Sequence, residues 1–513
     1  MNEYAADYKE QIVSDYRDNP LIEALPPIWS SNEVVDMLSH NEGRHDGERQ
    51  LDVQYRFHCV SRLFQYFQPL KEHVDIEQRF SRCIRQGYLH RSPLSTEYVK
   101  SLVQGHETIK SRKSYTNLNA FRPTASGFTI IGLSGVGKTS AVTNILKLYP
   151  QVIEHSSYRS IPLVLKQVVW LKLDCPHDGS VKGLCMEFFE ALDRAIGTTY
   201  FETYCKRGAT IDVLMIRMAQ AARLHCIGVI VIDEIQHLSL AKSGGSEKML
   251  NFFVTLVNTI GVPVVLIGTS KAKPILQGDF RQARRSSGQQ GDLIWDRMKN
   301  DTAWNIFLLS MWENQWTQNV VPLSDEFKNA LYHESQGIVD IAVKLYAMVQ
   351  IKAIALKKET FTPSDLRIAA SECLGLVKPI LDALRSGDKK KIEAYGDITT
   401  INMEDYYQAY AAMLPPSEDV PKKRNEISLS EKAVLKLLEL DVEPTQAKRL
   451  VGKVMAEHLN AKKVGDVVRL AYQLFISLED RQSIEDERQD GDLRNSDGYE
   501  ELKLSGAISG GEW

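Results

Sequence analysis

Thr129-Ile-Ile-Gly-Leu-Ser-Gly-Val-Gly-Lys-Thr-Ser140 is the stretch from which the rest of the chain is read. Apolar Phe128 to Ile131 predicts a buried strand, and Gly132 to Thr139 fits the spacing G-x-x-x-x-G-K-[ST]. From Lys138 to Leu148 the apolar side chains Ala141, Val142, Ile145 and Leu148 recur at helical spacing, with Pro150 just beyond. Strand, glycine-rich loop and helix follow one another as a phosphate-binding loop requires. Gly132, Gly135 and Gly137 let the backbone curl so that its N–H groups converge on phosphate oxygens. Ser134, Val136 and Ser140 belong to the same loop and helix start. Lys138 has the reach for terminal phosphates, Thr139 the hydroxyl for Mg²⁺, and the helix N-terminus adds a favourable dipole. The stretch predicts a nucleoside triphosphate site.

A second motif extends binding to hydrolysis. Val229-Ile-Val-Ile232 is a continuous apolar run, as expected of a central parallel strand covered on both faces, and it ends in Asp233-Glu234. Carboxylates at strand ends lie on the rim where ligands bind to such sheets. Asp233 is expected to hold the Mg²⁺ shell with Thr139, and Glu234 to polarise the water that attacks the γ-phosphate.

The 513 residues are too many for one core and suggest about three domains. Hydrophobic and charged contents of 43% and 25% are those of an ordinary soluble globular protein. A formal net charge of −4 excludes a generally basic, histone-like chain, so any nucleic-acid contact must use local patches. No apolar run approaches about 18 residues, which argues against a transmembrane helix. The acidic start Met1-Asn-Glu-Tyr-Ala-Ala-Asp7 has no signal-peptide core. Seven scattered cysteines, without a C-x-x-C pair, speak against a disulfide framework or a zinc site, and Cys175-Pro-His177 reads as ordinary loop. The expected location is the bacterial cytosol, associated with DNA and with no membrane.

Residues 1–120 form an N-terminal region expected to contact partners or DNA. Its stretch from Arg79 to Arg91, with Arg82, Arg85, Tyr88, His90 and Arg91, fits either such a face or a solvated helix and turn. Ser111 to Asn119 reads as a polar linker. Residues 121–310 alternate strand and helix, predicting an α/β core with a five-stranded parallel sheet. Its strands are expected at Phe128–Ile131, Val168–Leu173, Val229–Ile232, Val262–Gly268 and Ile306–Leu309. An amphipathic helix runs from Val181 to Ile196, and another carries Leu250, Phe253, Val254 and Val257. Residues 311–400 read as a helical lid, with Leu345, Met348 and Val349 on one face. Leu414 to Arg424 is a linker by composition, and residues 401–478 end in a small helical module that Ser428-Leu-Ser-Glu431 would cap. Residues 479–513 are acid-rich and hydrophobe-poor, so the tail is expected to be disordered unless bound.

Two features narrow the class of phosphate-loop protein. The strand ending Leu266-Ile-Gly-Thr-Ser270 places Thr269 or Ser270 between the two motifs, where a hydroxyl orders the attacking water; a plain strand-to-helix turn is the other reading. Asp279-Phe-Arg-Gln-Ala-Arg-Arg285 then supplies Arg281, Arg284 and Arg285. A planar, always-charged guanidinium suits transition-state charge, and one of these reaching a neighbouring subunit's nucleotide would tie hydrolysis to assembly; a surface or nucleic-acid role is the alternative.

With these motifs the chain resembles AAA+ ATPases, and more closely the TnsC family, the ATP-dependent regulators of Tn-seven-like transposons. Tyr16-Arg-Asp-Asn-Pro-Leu-Ile-Glu-Ala-Leu-Pro-Pro27 is similar to that family's N-terminal signature. Val231-Ile-Asp-Glu-Ile-Gln-His-Leu238, Ser243-Gly-Gly-Ser246, Met249 to Asn258, Glu334 to Leu345 and Pro379 to Gly387 extend the resemblance. It covers roughly residues 16 to 395. The resemblance implies an ATPase, using ATP and Mg²⁺, that forms a homo-oligomeric ring or filament on double-stranded DNA and links a target-selecting protein to the transposase. It implies Lys138 and Thr139 for nucleotide and Mg²⁺, Asp233 and Glu234 for hydrolysis and Thr269 as sensor. One departure stands out: the second-sensor arginine expected three residues after Gly337 is Asp340, so the role is absent or passes to Lys344. In related assemblies the helix after the second strand tracks the DNA backbone. Ser180, Lys182, Thr198, Thr199, Lys206 and Arg207 occupy that region here, Lys182 foremost, though each also reads as a solvated surface group.

Three other readings are open on sequence. A helicase loader or replication initiator shares the fold, and transposase genes beside this one would discriminate. A P-loop kinase would need a phosphoacceptor pocket, and a nucleotide-gated scaffold would not need Glu234.

Overall fold

The computed structural model describes residues 3–39, 46–100, 103, 127–240, 261–272, 291–388, 391–392, 403–411, 429–438, 440, 442–457 and 463–475. Among them the strands, in chain order, are β1 (Glu3–Ala5), β2 (Phe128–Gly132), β3 (Val152–Tyr158), β4 (Ile161–Val168), β5 (Trp170–Asp174), β6 (Val229–Asp233), β7 (Val264–Gly268) and β8 (Asp292–Trp295). Five of these form a parallel sheet in the order β5-β6-β7-β2-β8. The central strands β2, β6 and β7 are buried at every position, which is why each reads as a largely apolar run. At the edge, β5 alternates: Leu171 and Leu173 enter the core while Trp170, Lys172 and Asp174 are more open.

The helices around the sheet start where capping chemistry allows. In the N-terminal region α1 (Pro20–Glu23), α2 (Ser31–Leu38), α3 (Val53–Val60) and α4 (Lys71–Tyr88) precede β2. The helix α5 (Lys138–Leu146) follows the phosphate loop, with Gly137 at its N-cap. Then come α6 (Val181–Ile196), capped by Ser180 Oγ, which accepts from Gly183 N–H at 3.1 Å, α7 (Tyr200–Tyr204) and α8 (Ile211–Leu224). Beyond the sheet lie α9 (Thr302–Trp312), α10 (Asp325–Ser335), α11 (Val339–Ala355), α12 (Pro363–Cys373), α13 (Lys378–Ser386) and α14 (Met403–Ala411). No helix among the described residues is long and apolar enough to cross a membrane.

The fifth strand is not where the sequence suggested. Ile306-Phe-Leu-Leu309 lies inside α9, and the strand beside β2 is β8. Asp301 Oδ1 accepts from Ala303 and Trp304 N–H and so starts a helix. Trp304, Phe307, Leu308, Met311 and Trp312 then bury one helical face, a period that the short apolar run masks. A second, three-stranded sheet, β1-β3-β4, was also unforeseen; β1 runs parallel to β3, and β3 and β4 form an antiparallel hairpin.

The arginine-rich stretch near Arg85 is not a solvent or DNA face as a whole. Arg85 and Arg91 are buried, as is Tyr88, while Arg82 and His90 are exposed. Arg91 donates to Gly87 O at 2.6 Å and Ile227 O at 2.7 Å, and Tyr88 donates to Cys226 O at 2.8 Å. These bonds satisfy buried polar groups and fasten α4 to the loop before β6.

The chain divides into two compact units, residues 1–414 and 415–513. In the second, α15 (Leu429–Leu438) and α16 (Pro444–Glu457) share a small core that includes Ala433, Leu437, Ala447, Leu450 and Val454.

Candidate active site

The phosphate loop is held open by its glycines. Gly135 and Gly137 adopt φ of 77° and 98°, a left-handed region costly for other residues. At Gly132 a Cβ would fall 1.9 Å from Trp295 O, so only glycine lets β8 pair at that position. The loop ends at the N-terminus of α5, where Lys138 folds back and donates to Gly132 O at 3.1 Å and Leu133 O at 2.7 Å. That position keeps the buried ammonium satisfied beside the cradle it would serve.

The two motifs meet. Thr139 Oγ1 donates to Asp233 Oδ2 at 2.8 Å, and Asp233 Oδ1 accepts the Glu234 N–H at 2.9 Å. Glu234 stands at φ 57°, a left-handed turn that takes its side chain off the end of β6. Gln236 donates to Glu234 Oε2 and accepts the Thr269 N–H at 3.1 Å. The Thr269 hydroxyl is buried and has no hydrogen-bond partner among the described residues. Lys172, on β5, approaches Asp233 Oδ2 at 3.5 Å and Asp174 Oδ1 at 3.1 Å.

One cavity of about 300 Å³ gathers these groups. Ser134 to Ser140, Asp233, Glu234, Gln236 and Thr269 line its polar side. Its apolar side comes from four distant segments: Tyr66, Phe67, Leu70 and His73 before α4 and in its first turn, Trp295 at the end of β8 with Met298 beyond it, Phe307 on α9, and Val339 and Val343 on α11. The His73 ring lies 4.6 Å from Phe67 and 5.3 Å from Trp295 between ring centres, and its Nδ1 accepts the Leu70 N–H at 2.8 Å. Burial lowers its pKa to about 4, so the ring is neutral. A cavity with one end rich in N–H and hydroxyl groups and the other aromatic suits a molecule that joins phosphates to a flat base. The hydroxyl of Thr139 and the Asp233 carboxylate are hard oxygen donors that fit Mg²⁺, and the unpartnered Thr269 hydroxyl is a polar group awaiting a partner in the same wall.

The lid meets the loop directly. Asp340 N–H donates to Gly135 O at 3.0 Å, and the Asp340 carboxylate, which also lines the cavity, is paired with Lys344 Nζ at 2.7 Å. Lys344 is therefore engaged by Asp340, one turn along α11.

The remaining expected sites fall into two groups. Arg281, Arg284 and Arg285 lie outside the described residues, as do the helix carrying Leu250 and Phe253, both linkers, the Ser428 cap and the acidic tail. Lys182, on the first turn of α6, and Thr198 are half-buried, whereas Thr199, Lys206 and Arg207 are exposed. Thr198 Oγ1 donates to Asp193 Oδ1 at 2.6 Å, which fixes the turn into α7. From there α7 folds back along α6, with Tyr204 against Phe189 at 5.4 Å. Sequence reading missed Lys172, Gln236 and the whole aromatic wall. Only Gln236 carried a local signal, its place two residues after Glu234.

Residues 122–276 match the family model described as AAA domain. A search of the curated proteins finds no match. Among solved structures, the chain is similar to the ORC1 protein of Aeropyrum pernix in complex with DNA, at 14% identity and a TM-score of 0.35, over 74% of this chain and 82% of that one. It is also similar to Cdc6p from Pyrobaculum aerophilum, at 13% identity and a TM-score of 0.34, over 63% of this chain and 87% of that one. The architecture is an AAA+ P-loop fold: a five-stranded parallel sheet with flanking helical regions.

Proposed function

We propose that this chain is an ATP-hydrolysing AAA+ switch that assembles on double-stranded DNA and regulates transposition, linking a target-selecting protein to a transposase. The observation that carries the enzymatic part is the convergence of Lys138, the Thr139–Asp233 pair, Glu234 and the unpartnered Thr269 hydroxyl on one cavity. Gly135 to Lys138 would cradle the phosphates through backbone N–H groups and the ammonium. Thr139 and Asp233 would hold Mg²⁺, which when bound neutralises phosphate charge. Glu234 would take a proton from the attacking water while Thr269 orients it. Arg281, Arg284 or Arg285 would serve a neighbouring subunit's nucleotide. Lys182, Thr198, Thr199, Lys206 and Arg207 would contribute a few phosphate contacts per subunit, repeated around an oligomer. The transposition part rests on the TnsC-like strings from Tyr16 to Gly387.

The test separates these layers. Lys138→Ala is expected to abolish both ATP binding and ATP-dependent assembly on duplex DNA, followed by light scattering with an ATP analogue. Glu234→Gln is expected to bind ATP, turn it over slowly and leave a longer-lived DNA complex. Pull-down of transposase subunits and a transposition assay decide the role. Assembly on DNA without transposase binding, but with binding of a replicative helicase, would replace this reading with that of a loader or initiator.

A further inference from the structure

We propose that Gln236 is a positioning residue for hydrolysis, holding the Glu234 carboxylate in register with Thr269 so that the two act as one unit. The inference rests on the ATPase reading of this cavity and deepens it.

Gln236 is buried, at 7% exposure, yet lines the same cavity as Glu234 and Thr269. Its amide works with both ends. The oxygen accepts the Thr269 N–H at 3.1 Å, and the nitrogen donates to Glu234 Oε2. The Thr269 N–H can only donate and an ionised Glu234 can only accept, so the amide has one satisfactory orientation. Neither Glu nor Leu could make both bonds. The surrounding backbone is shaped for this contact. Glu234 takes a left-handed φ of 57°, and a Cβ at Gly268 would lie 2.6 Å from Ile235 Cγ1 and 3.0 Å from Gln236 Oε1. Glycine at the end of β7 is what lets the amide sit against that strand.

The consequence is a mechanical link across two strand ends. Thr269 follows β7 and Glu234 follows β6, and their side chains would face the same water. In the hydrolytic step the water oxygen bonds to the γ-phosphorus as the bond to the β–γ bridging oxygen breaks. The electron pair leaves with ADP, and one water proton passes to the Glu234 carboxylate. A carboxylate free to rotate would hold that water poorly; one tied to the Thr269 backbone is set whenever Thr269 is set. Gln236 itself does not touch the reacting atoms.

Three full-length variants test this, each beside Glu234→Gln. Gln236→Glu keeps size and the acceptor for Thr269 N–H but loses the donor to Glu234. Gln236→Leu loses both bonds, and Gln236→Asn is too short to span them. For each, kcat and KM are measured with duplex DNA present, affinity with a fluorescent ATP analogue, and the melting midpoint. Gln236→Glu is expected to lower kcat by roughly tenfold or more, with analogue affinity within about twofold of wild type. The double variant Glu234→Gln/Gln236→Glu reverses donor and acceptor, and is expected to recover the melting midpoint without recovering kcat. A purely structural residue would instead lower midpoint and affinity together. Wild-type kcat in Gln236→Glu, with Glu234→Gln inactive, overturns the proposal and leaves the ATPase reading standing. Wild-type turnover in Glu234→Gln overturns the role of Glu234 as base, and the proposal with it; loss of all hydrolysis in the wild-type protein overturns the ATPase reading. If Gln236→Leu fails to fold, the near-isosteric Gln236→Glu still decides.

Discussion

Thr269 has a buried hydroxyl with no partner among the described residues, in a wall that otherwise satisfies its polar groups closely. A group left this way costs stability, commonly about 1–3 kcal/mol, unless a ligand completes it. Thr269→Val keeps the shape and removes the cost. The nucleotide-free protein is therefore expected to melt at the same temperature or higher, while ATP turnover falls by roughly ten- to a hundredfold. Scanning fluorimetry and steady-state hydrolysis read the two halves separately, and a variant that loses stability but keeps turnover would reverse the assignment. Lys172 makes the opposite kind of case. Its ammonium, 3.5 Å from Asp233 Oδ2, stands near where a divalent cation would bind and repels it. Lys172→Met, with a stem of similar length, is expected to lower the Mg²⁺ concentration needed for analogue binding by a few fold, as a Mg²⁺ titration would record.

At the scale of elements, the N-terminus of α11 presses on the phosphate loop through Asp340 N–H and Gly135 O at 3.0 Å. It brings a carboxylate into a cavity built for anions, and Lys344 pairs with it at 2.7 Å. Asp340→Asn keeps the backbone contact, removes the negative charge and frees Lys344, so ATP should bind several-fold tighter. Lys344→Met should bind it more weakly. A fluorescence titration on both variants and their combination measures the coupling, and unchanged affinity in Asp340→Asn would show that the pair is remote from the phosphates. The departure at Asp340 was visible in the chain once the resemblance supplied the pattern, because it needs only the spacing from Gly337. The strands β2, β6 and β7 were legible for the same local reason: each is buried on both faces and therefore almost wholly apolar, with Thr129 in β2 and the site carboxylate Asp233 at the end of β6 the polar exceptions. The helix α6 was readable to the residue because its amphipathic period is bounded by Ser180 and Gly197. By contrast, β8 has four residues, buries one of them fully and offers only the short run Leu293-Ile294-Trp295, whereas Ile306 to Leu309 left a longer one inside a helix. The cavity's aromatic wall was illegible because Tyr66, His73 and Trp295 belong to no motif; only folding brings them together.

Across the whole first unit, the N-terminal region is fastened to both the core and the lid. Arg56, 2% exposed, makes a paired contact with Glu359 at 2.6 and 2.7 Å and also donates to Trp316 O at 3.2 Å. Removing one partner of a buried pair strands the other, so Arg56→Ala is expected to cost about 3–5 kcal/mol in denaturant unfolding. The same region supplies His73, whose neutrality makes stability depend on pH. Its folded pKa, about 4, lies below the ordinary value of 6.5 because burial disfavours the charged ring. The unfolded chain thus binds a proton that the folded one refuses. The contribution of His73 is fully present above about pH 6.5 and is lost as pH falls towards about 4, amounting to about 3 kcal/mol across that window. The His225 ring, pushed down to about 4 chiefly by burial, adds a second contribution of the same sign. His73→Asn keeps an acceptor near the Leu70 N–H and cannot titrate. Unfolding free energies measured between pH 7.5 and pH 4.5 should therefore fall less steeply in His73→Asn than in wild type. Parallel curves would mean that the ring is solvated, and with it the apolar end of the cavity.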